Sequence, residues 1–76
     1  MADLTYREIV EAVALEIGGE VDYGYSGRGM FGETCLGIVC DDPHECIEEA
    51  AASGLRGAHF DGMGKQYIVY WPKVKS

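Results

Sequence analysis

The sequence predicts an α+β fold in which two helices pack on one face of a four-stranded antiparallel sheet, in the order α-β-β-α-β-β, within a single domain spanning 1–76. Three observations carry that expectation. Two stretches place apolar residues at helical spacing behind start signals, each is followed by two strand-like stretches, and glycine-rich or turn-forming segments separate the strands. A chain of 76 residues buries only about 60% of the surface its unfolded form exposes, which leaves room for one thin core.

The first helix is expected over 5–17. Thr5-Tyr6-Arg7-Glu8 reads as a capping box, and Leu4 stands where it can staple onto Ile9. Tyr6, Ile9, Val10, Val13 and Ile17 form an apolar stripe opposite Arg7, Glu8 and Glu11, and Gly18-Gly19 supplies a left-handed stop. Leu15 breaks the pattern by projecting from the polar face. Single exposed leucines are common, and the sharper reading is a contact point for a partner or a second copy of the chain.

Val21, Tyr23 and Tyr25 alternate with Glu20, Asp22 and Gly24, the period of a strand. A glycine-rich loop from Ser26 to Gly32 follows, and Thr34 to Cys40 reads as the second strand. Leu36, Ile38 and Cys40 fall on one face and Cys35, Gly37 and Val39 on the other, so apolar residues on both faces point to an inner position in the sheet. The two strands are expected to pair antiparallel through the loop.

The second helix is expected over 43–53, with Asp42 as N-cap, Pro43 at its first position and Glu45 at the third. Its inner stripe is Pro43, Cys46, Ile47, Ala50 and Ala51, its outer stripe Glu45, Glu48, Glu49, Ala52 and Ser53, and Gly54 ends it. Arg56 to Phe60 and Gln66 to Trp71 read as strands joined by a turn over Asp61-Gly62-Met63-Gly64-Lys65. Pro72 is expected to end the last strand, leaving Lys73 to Ser76 as a tail. The halves are loosely similar, with Ile9-Val10-Glu11-Ala12 beside Ile47-Glu48-Glu49-Ala50. The sheet face away from the helices is expected to carry some of Tyr23, Tyr25, Tyr67, Val69 and Trp71, a tyrosine-rich surface of the kind that binds proteins.

Composition narrows the function. Thirteen acids against six Lys and Arg give a formal charge of -7, which argues against direct binding of nucleic acid or docking on an anionic membrane. The start of the chain has neither the basic region nor the apolar stretch of a signal peptide, and no apolar run approaches a spanning helix, so a cytoplasmic location is expected. Three cysteines, Cys35, Cys40 and Cys46, make a poor disulfide framework and read as reduced, buried small hydrophobes. Together with His44 and His59 they offer metal-ligating atoms, but no C-x-x-C or H-x-x-x-H knuckle appears, and no metal or other cofactor is expected. Gly27-Arg28-Gly29-Met30-Phe31-Gly32 matches G-x-G-x-x-G, but it leads into a strand rather than a phosphate-binding helix. It reads better as a hairpin tip presenting Arg28, Met30 and Phe31 as interface anchors. Nothing fixes a nucleophile beside a base, so the chain is expected not to be an enzyme. Cys46 alone has a helix dipole to lower its pKa.

The acidic cluster is the most informative feature. Asp41, Asp42, Glu45, Glu48 and Glu49 gather at the second helix, and no Lys or Arg stands four residues on to offset their repulsion. Capping accounts for the first two acids and a solvated face for the rest. An unpaired ridge also steers toward a basic groove, such as a nucleic-acid channel. In size, acidity and compact α+β organisation the whole chain resembles the small phage-encoded inhibitors of host defence, especially the anti-CRISPR proteins that imitate DNA. That resemblance implies a host cytoplasm and a partner with a basic surface, such as a CRISPR effector subunit. It assigns no residue roles. The sequence therefore predicts a non-enzymatic inhibitor that blocks a basic surface through the acidic ridge, the hairpin tip or the open sheet face, as a monomer or weak homodimer. The alternative is a small accessory protein that self-associates through an apolar surface such as Leu15 and its open sheet.

Overall fold

The computed structural model describes residues 5–26 and 34–75, the side chains at 73 and 75 excepted. The element order is α1 (Tyr6–Ile17), β1 (Glu20–Tyr25), β2 (Cys35–Cys40), α2 (Pro43–Ala52), β3 (His59–Met63) and β4 (Gln66–Lys75). The four strands form one antiparallel sheet in the order β1-β2-β4-β3, so the second strand of each hairpin is central, and the two central strands pair with each other.

The start signals act as the sequence predicts. Thr5 Oγ1 accepts from the Glu8 N–H at 3.2 Å while the Thr5 N–H donates to Glu8 Oε1 at 3.1 Å. Asp42 Oδ1 accepts from the N–H groups of His44 and Glu45 at 3.0 and 3.3 Å. Gly18 takes φ 71 at the end of α1. Beside it, a Cβ on Gly19 would stand 2.8 Å from both Ile38 Cγ2 and the Val39 carbonyl, so the chain can pass this close to β2 only as glycine. At the end of α2 the Gly54 N–H donates to the Ala51 carbonyl and the Leu55 N–H to the Ala50 carbonyl, the paired bonds of a Schellman cap.

Both helices lie on one face of the sheet. Their buried residues, Ile9, Val10, Val13 and Ala14 from α1 and Cys46 and Ala50 from α2, form one core with Leu36, Ile38, Cys40, Val69 and Trp71 of the central strands. Tyr6, expected on the inner stripe, is instead exposed, and Ala14 is buried.

Three strand expectations are corrected. Tyr23 faces α1 on the same side as Val21, and a bulge in β1 between Asp22 and Tyr25 turns Tyr25 to the opposite face. Tyr67, Val69 and Trp71 also point to the helix side, being in register with Cys40 and Ile38, so only Tyr25 of the expected set stands on the face away from the helices. That face is not open at its centre, where Cys35, Ile68 and Tyr70 are buried. There Tyr25 meets Tyr70, whose other side stacks on His59. β3 starts at His59 and continues through Gly62 and Met63. The turn shrinks to Gly64 and Lys65, since Met63 pairs with Gln66 and Gly64 supplies the positive φ of 70 that a two-residue hairpin needs. Finally, β4 runs past Pro72 to Lys75. The register jumps from Gly37–Tyr70 to Cys35–Lys75, which places Pro72 in a bulge where its missing N–H leaves no gap in the ladder.

Candidate functional site

The outer face of α2 is built as the sequence implies. Pro43, Cys46 and Ala50 face the core, and the helical repeat then turns Glu45, Glu48 and Glu49 to solvent. None of the three has a hydrogen-bond or ion-pair partner among the described residues, where Arg7–Glu11 is the ion pair present, at 4.0 Å. The other two acids of the cluster have local work. Asp42 caps α2, and Asp41 accepts from Gln66 Nε2 at 3.2 Å, tying the helix start to β4. The carboxylates nonetheless remain exposed at the surface.

The ridge is continued by α1. Glu49 and Ser53 of α2 face Ala12, Val13 and Glu16 of α1 across a cleft of about 190 Å³, so carboxylates from both helices border one groove. Leu15, next to Glu16, is 86% exposed.

A second surface lies where the helices stop. α1 packs over β1 and β2, and α2 over β2 and β4. At β3 the helix layer supplies the His44 ring, which meets Phe60 edge-on with centroids 5.8 Å apart. Phe60 in turn meets Tyr67 at 6.3 Å. With no helix lying across them, Phe60 is 44% and Tyr67 40% exposed. Sequence reasoning missed this patch. Phe60 and Tyr67 were legible as strand residues, but their exposure depends on how far α2 reaches across the sheet.

The cysteines follow the expectation of small buried hydrophobes. All three are buried, with Cys35 on the sheet face away from the helices and Cys40 and Cys46 in the core beneath α2. Burial, with the neighbouring Cys40 thiol, pushes Cys46 up to about 12, so the helix dipole at its start is overruled by desolvation. Burial also raises Cys40. Among the described residues no group of three or more His, Cys, Asp or Glu side chains is placed to hold a metal ion. Arg28, Met30 and Phe31, with the rest of the G-x-G-x-x-G segment, lie outside the described residues, as does Leu4.

Comparison with known proteins finds no matching family, no similar curated protein and no similar solved structure. Among the described residues no helix is long and apolar enough to cross a membrane.

Proposed function

We propose that this chain is a non-enzymatic binding protein whose acidic helix layer occupies a basic, nucleic-acid-binding groove on a partner protein. The observation that carries this reading is the row Glu45, Glu48 and Glu49, exposed and without a partner among the described residues, on a helix whose opposite face holds the core. Unpaired like charges at this spacing cost a helix a few tenths of a kcal/mol per pair and return nothing to the fold. Facing a row of Lys and Arg, the same carboxylates replace phosphates, displace counterions and steer association. A net charge of -7 supports that role, and an anti-CRISPR-like inhibitor of a CRISPR effector subunit is the form of it that the chain's character resembles.

The test is competition. Proteins with basic DNA-binding grooves, CRISPR effector subunits among them, are loaded with a fluorescent duplex and titrated with the chain. At least one is expected to release its DNA, with an apparent affinity that falls steeply between low and physiological salt. Release that is indifferent to salt, or no release from any of them, contradicts the proposal.

A second reading, self-association through an apolar surface, is favoured by the exposure of Leu15. It predicts a dimer by sedimentation that Leu15→Ala returns to monomer.

A further inference from the structure

We infer that the edge strand β3, with the aromatic patch above it, is a docking edge for an extended, arginine-bearing segment of the partner, which adds to the sheet as a fifth strand. The inference rests on the proposed preference for a basic partner and adds where and how such a partner is gripped.

The two edges of the sheet differ in a way that bears on this. β1 is interrupted by a bulge at Asp22–Tyr25, carries the carboxylates of Glu20 and Asp22, and has α1 folded over it. Bulges and charges of this kind are how proteins prevent stray strands from pairing at an edge. β3 has no bulge and no helix folded over it. It keeps unbroken register with β4 from His59↔Tyr70 to Met63↔Gln66, Asp61 is its one charged residue, and that side chain accepts from the Tyr25 hydroxyl at 3.5 Å on the face away from the helices. Among the described residues no strand pairs with its outer side. A regular, uncovered edge of this length offers a row of backbone donors and acceptors to an incoming chain.

Charge and ring chemistry choose the occupant. On the helix side of β3 the exposed faces of Phe60 and Tyr67 are flanked by His44, and the carboxylates of Asp41, Asp42 and Glu45 stand at the adjoining start of α2. An alternating strand laid along β3 turns every second side chain toward that side. A guanidinium there stacks on an aromatic face while its N–H fork meets a carboxylate, a combination that lysine matches less well. A second copy of this acidic chain would bring carboxylates to the same place, so charge complementarity favours the basic segment.

The experiment uses the full chain, labelled with ¹⁵N, and a synthetic peptide alternating arginine with valine over about seven residues, enough for a strand to span the five residues of β3. Addition of the peptide is expected to shift and protect from exchange the amides of His59–Met63, and Phe60→Ala is expected to weaken binding about tenfold, the effect of losing one interface anchor. Phe60 is already half in solvent, so that variant keeps its fold, which its amide spectrum verifies. A peptide with proline at alternate valines, unable to pair, is expected to bind much less. Shifts confined to Glu45, Glu48 and Glu49 with β3 unmoved would overturn the docking edge while leaving the acidic-groove reading intact. Equal binding of the proline peptide, or no binding of either peptide, would also overturn it, with DNA displacement still deciding the wider reading. Concentration-dependent β3 shifts in the chain alone would mean that a second copy covers the edge, and would overturn it too.

Discussion

In the first half of the molecule α1 lies over its own hairpin, β1 and β2, and its polar face is tied back to the sheet. The Tyr23 hydroxyl donates to Glu11 Oε2 at 2.6 Å, and the Arg7 guanidinium sits 5.0 Å over the Tyr23 ring. In the second half α2 has shifted toward the centre, lying over β4 and the shared strand β2, and it leaves β3 largely exposed and its own glutamates without partners among the described residues. Both halves follow the same helix-hairpin plan and use the same kinds of cap. The difference is that Arg7, Glu8 and Glu11 on the polar face of α1 are engaged by the fold, whereas Glu45, Glu48 and Glu49 on that of α2 have no partner among the described residues. Groups that the fold does not use are where binding is to be sought.

The largest expected effect lies at the seam. Ile38 is fully buried between Val21 and Val69, its partners in the two halves, so Ile38→Ala should cost about 2–5 kcal/mol in denaturant unfolding. Phe60→Ala, on the largely exposed strand, should move the same curve by less than about 0.5 kcal/mol. If the two substitutions cost the same, β3 is part of the cooperative core and the contrast between halves fails.

Next come the caps, where the halves should agree. Thr5→Ala and Asp42→Ala each remove a side-chain acceptor from a helix start and should each cost about 1 kcal/mol in thermal unfolding. A clear inequality would show that one helix depends on its cap more than its packing suggests.

The smallest effect separates the polar faces. The hydrogen bond to Glu11 holds Tyr23 above the usual tyrosine range, so its contribution to stability is complete below the ordinary tyrosine value and is lost as pH rises through the higher folded value. Tyr25 is raised as well, mainly by burial, and adds to the same alkaline loss. Tyr23→Phe should therefore reduce, without abolishing, the fall in stability on the alkaline side, as followed by circular dichroism. No change in that slope would mean that the tie between α1 and β1 does not hold in solution. At the acid end Glu8, held below the usual carboxylate range by the Thr5 N–H, contributes above the ordinary glutamate value and stops contributing as pH falls through its folded one.

Much of this architecture was legible in the chain because its signals are local. A capping box, a proline at the first helical turn and a glycine stop each act within a few residues, and both helices and all four strands were found from them. What was missed depends on distant partners. Gly62 and Met63 look like turn residues, yet the pairing of Met63 with Gln66 makes them strand. Pro72 looks like a terminator, and only the bulge opposite β2 accommodates it. The bulge at Asp22–Tyr25, invisible to simple alternation, sends Tyr23 and Tyr25 to opposite faces. At the candidate site the exposed glutamates followed from helical periodicity alone, whereas the patch of His44, Phe60 and Tyr67 required knowing where α2 ends its cover. The burial of Cys46 was legible from its place on the inner stripe of α2, and that burial outweighs the helix start.

The central claim is that the outer face of α2 serves binding and not folding, and reversing Glu45, Glu48 and Glu49 to Lys together tests it most directly. The thermal midpoint of that variant should stay within about 4 °C of the parent's, since exposed charges contribute little to stability. Its ability to displace DNA from a basic groove should be lost. A variant that unfolds, or one that folds and still displaces DNA as the parent does, would contradict the account.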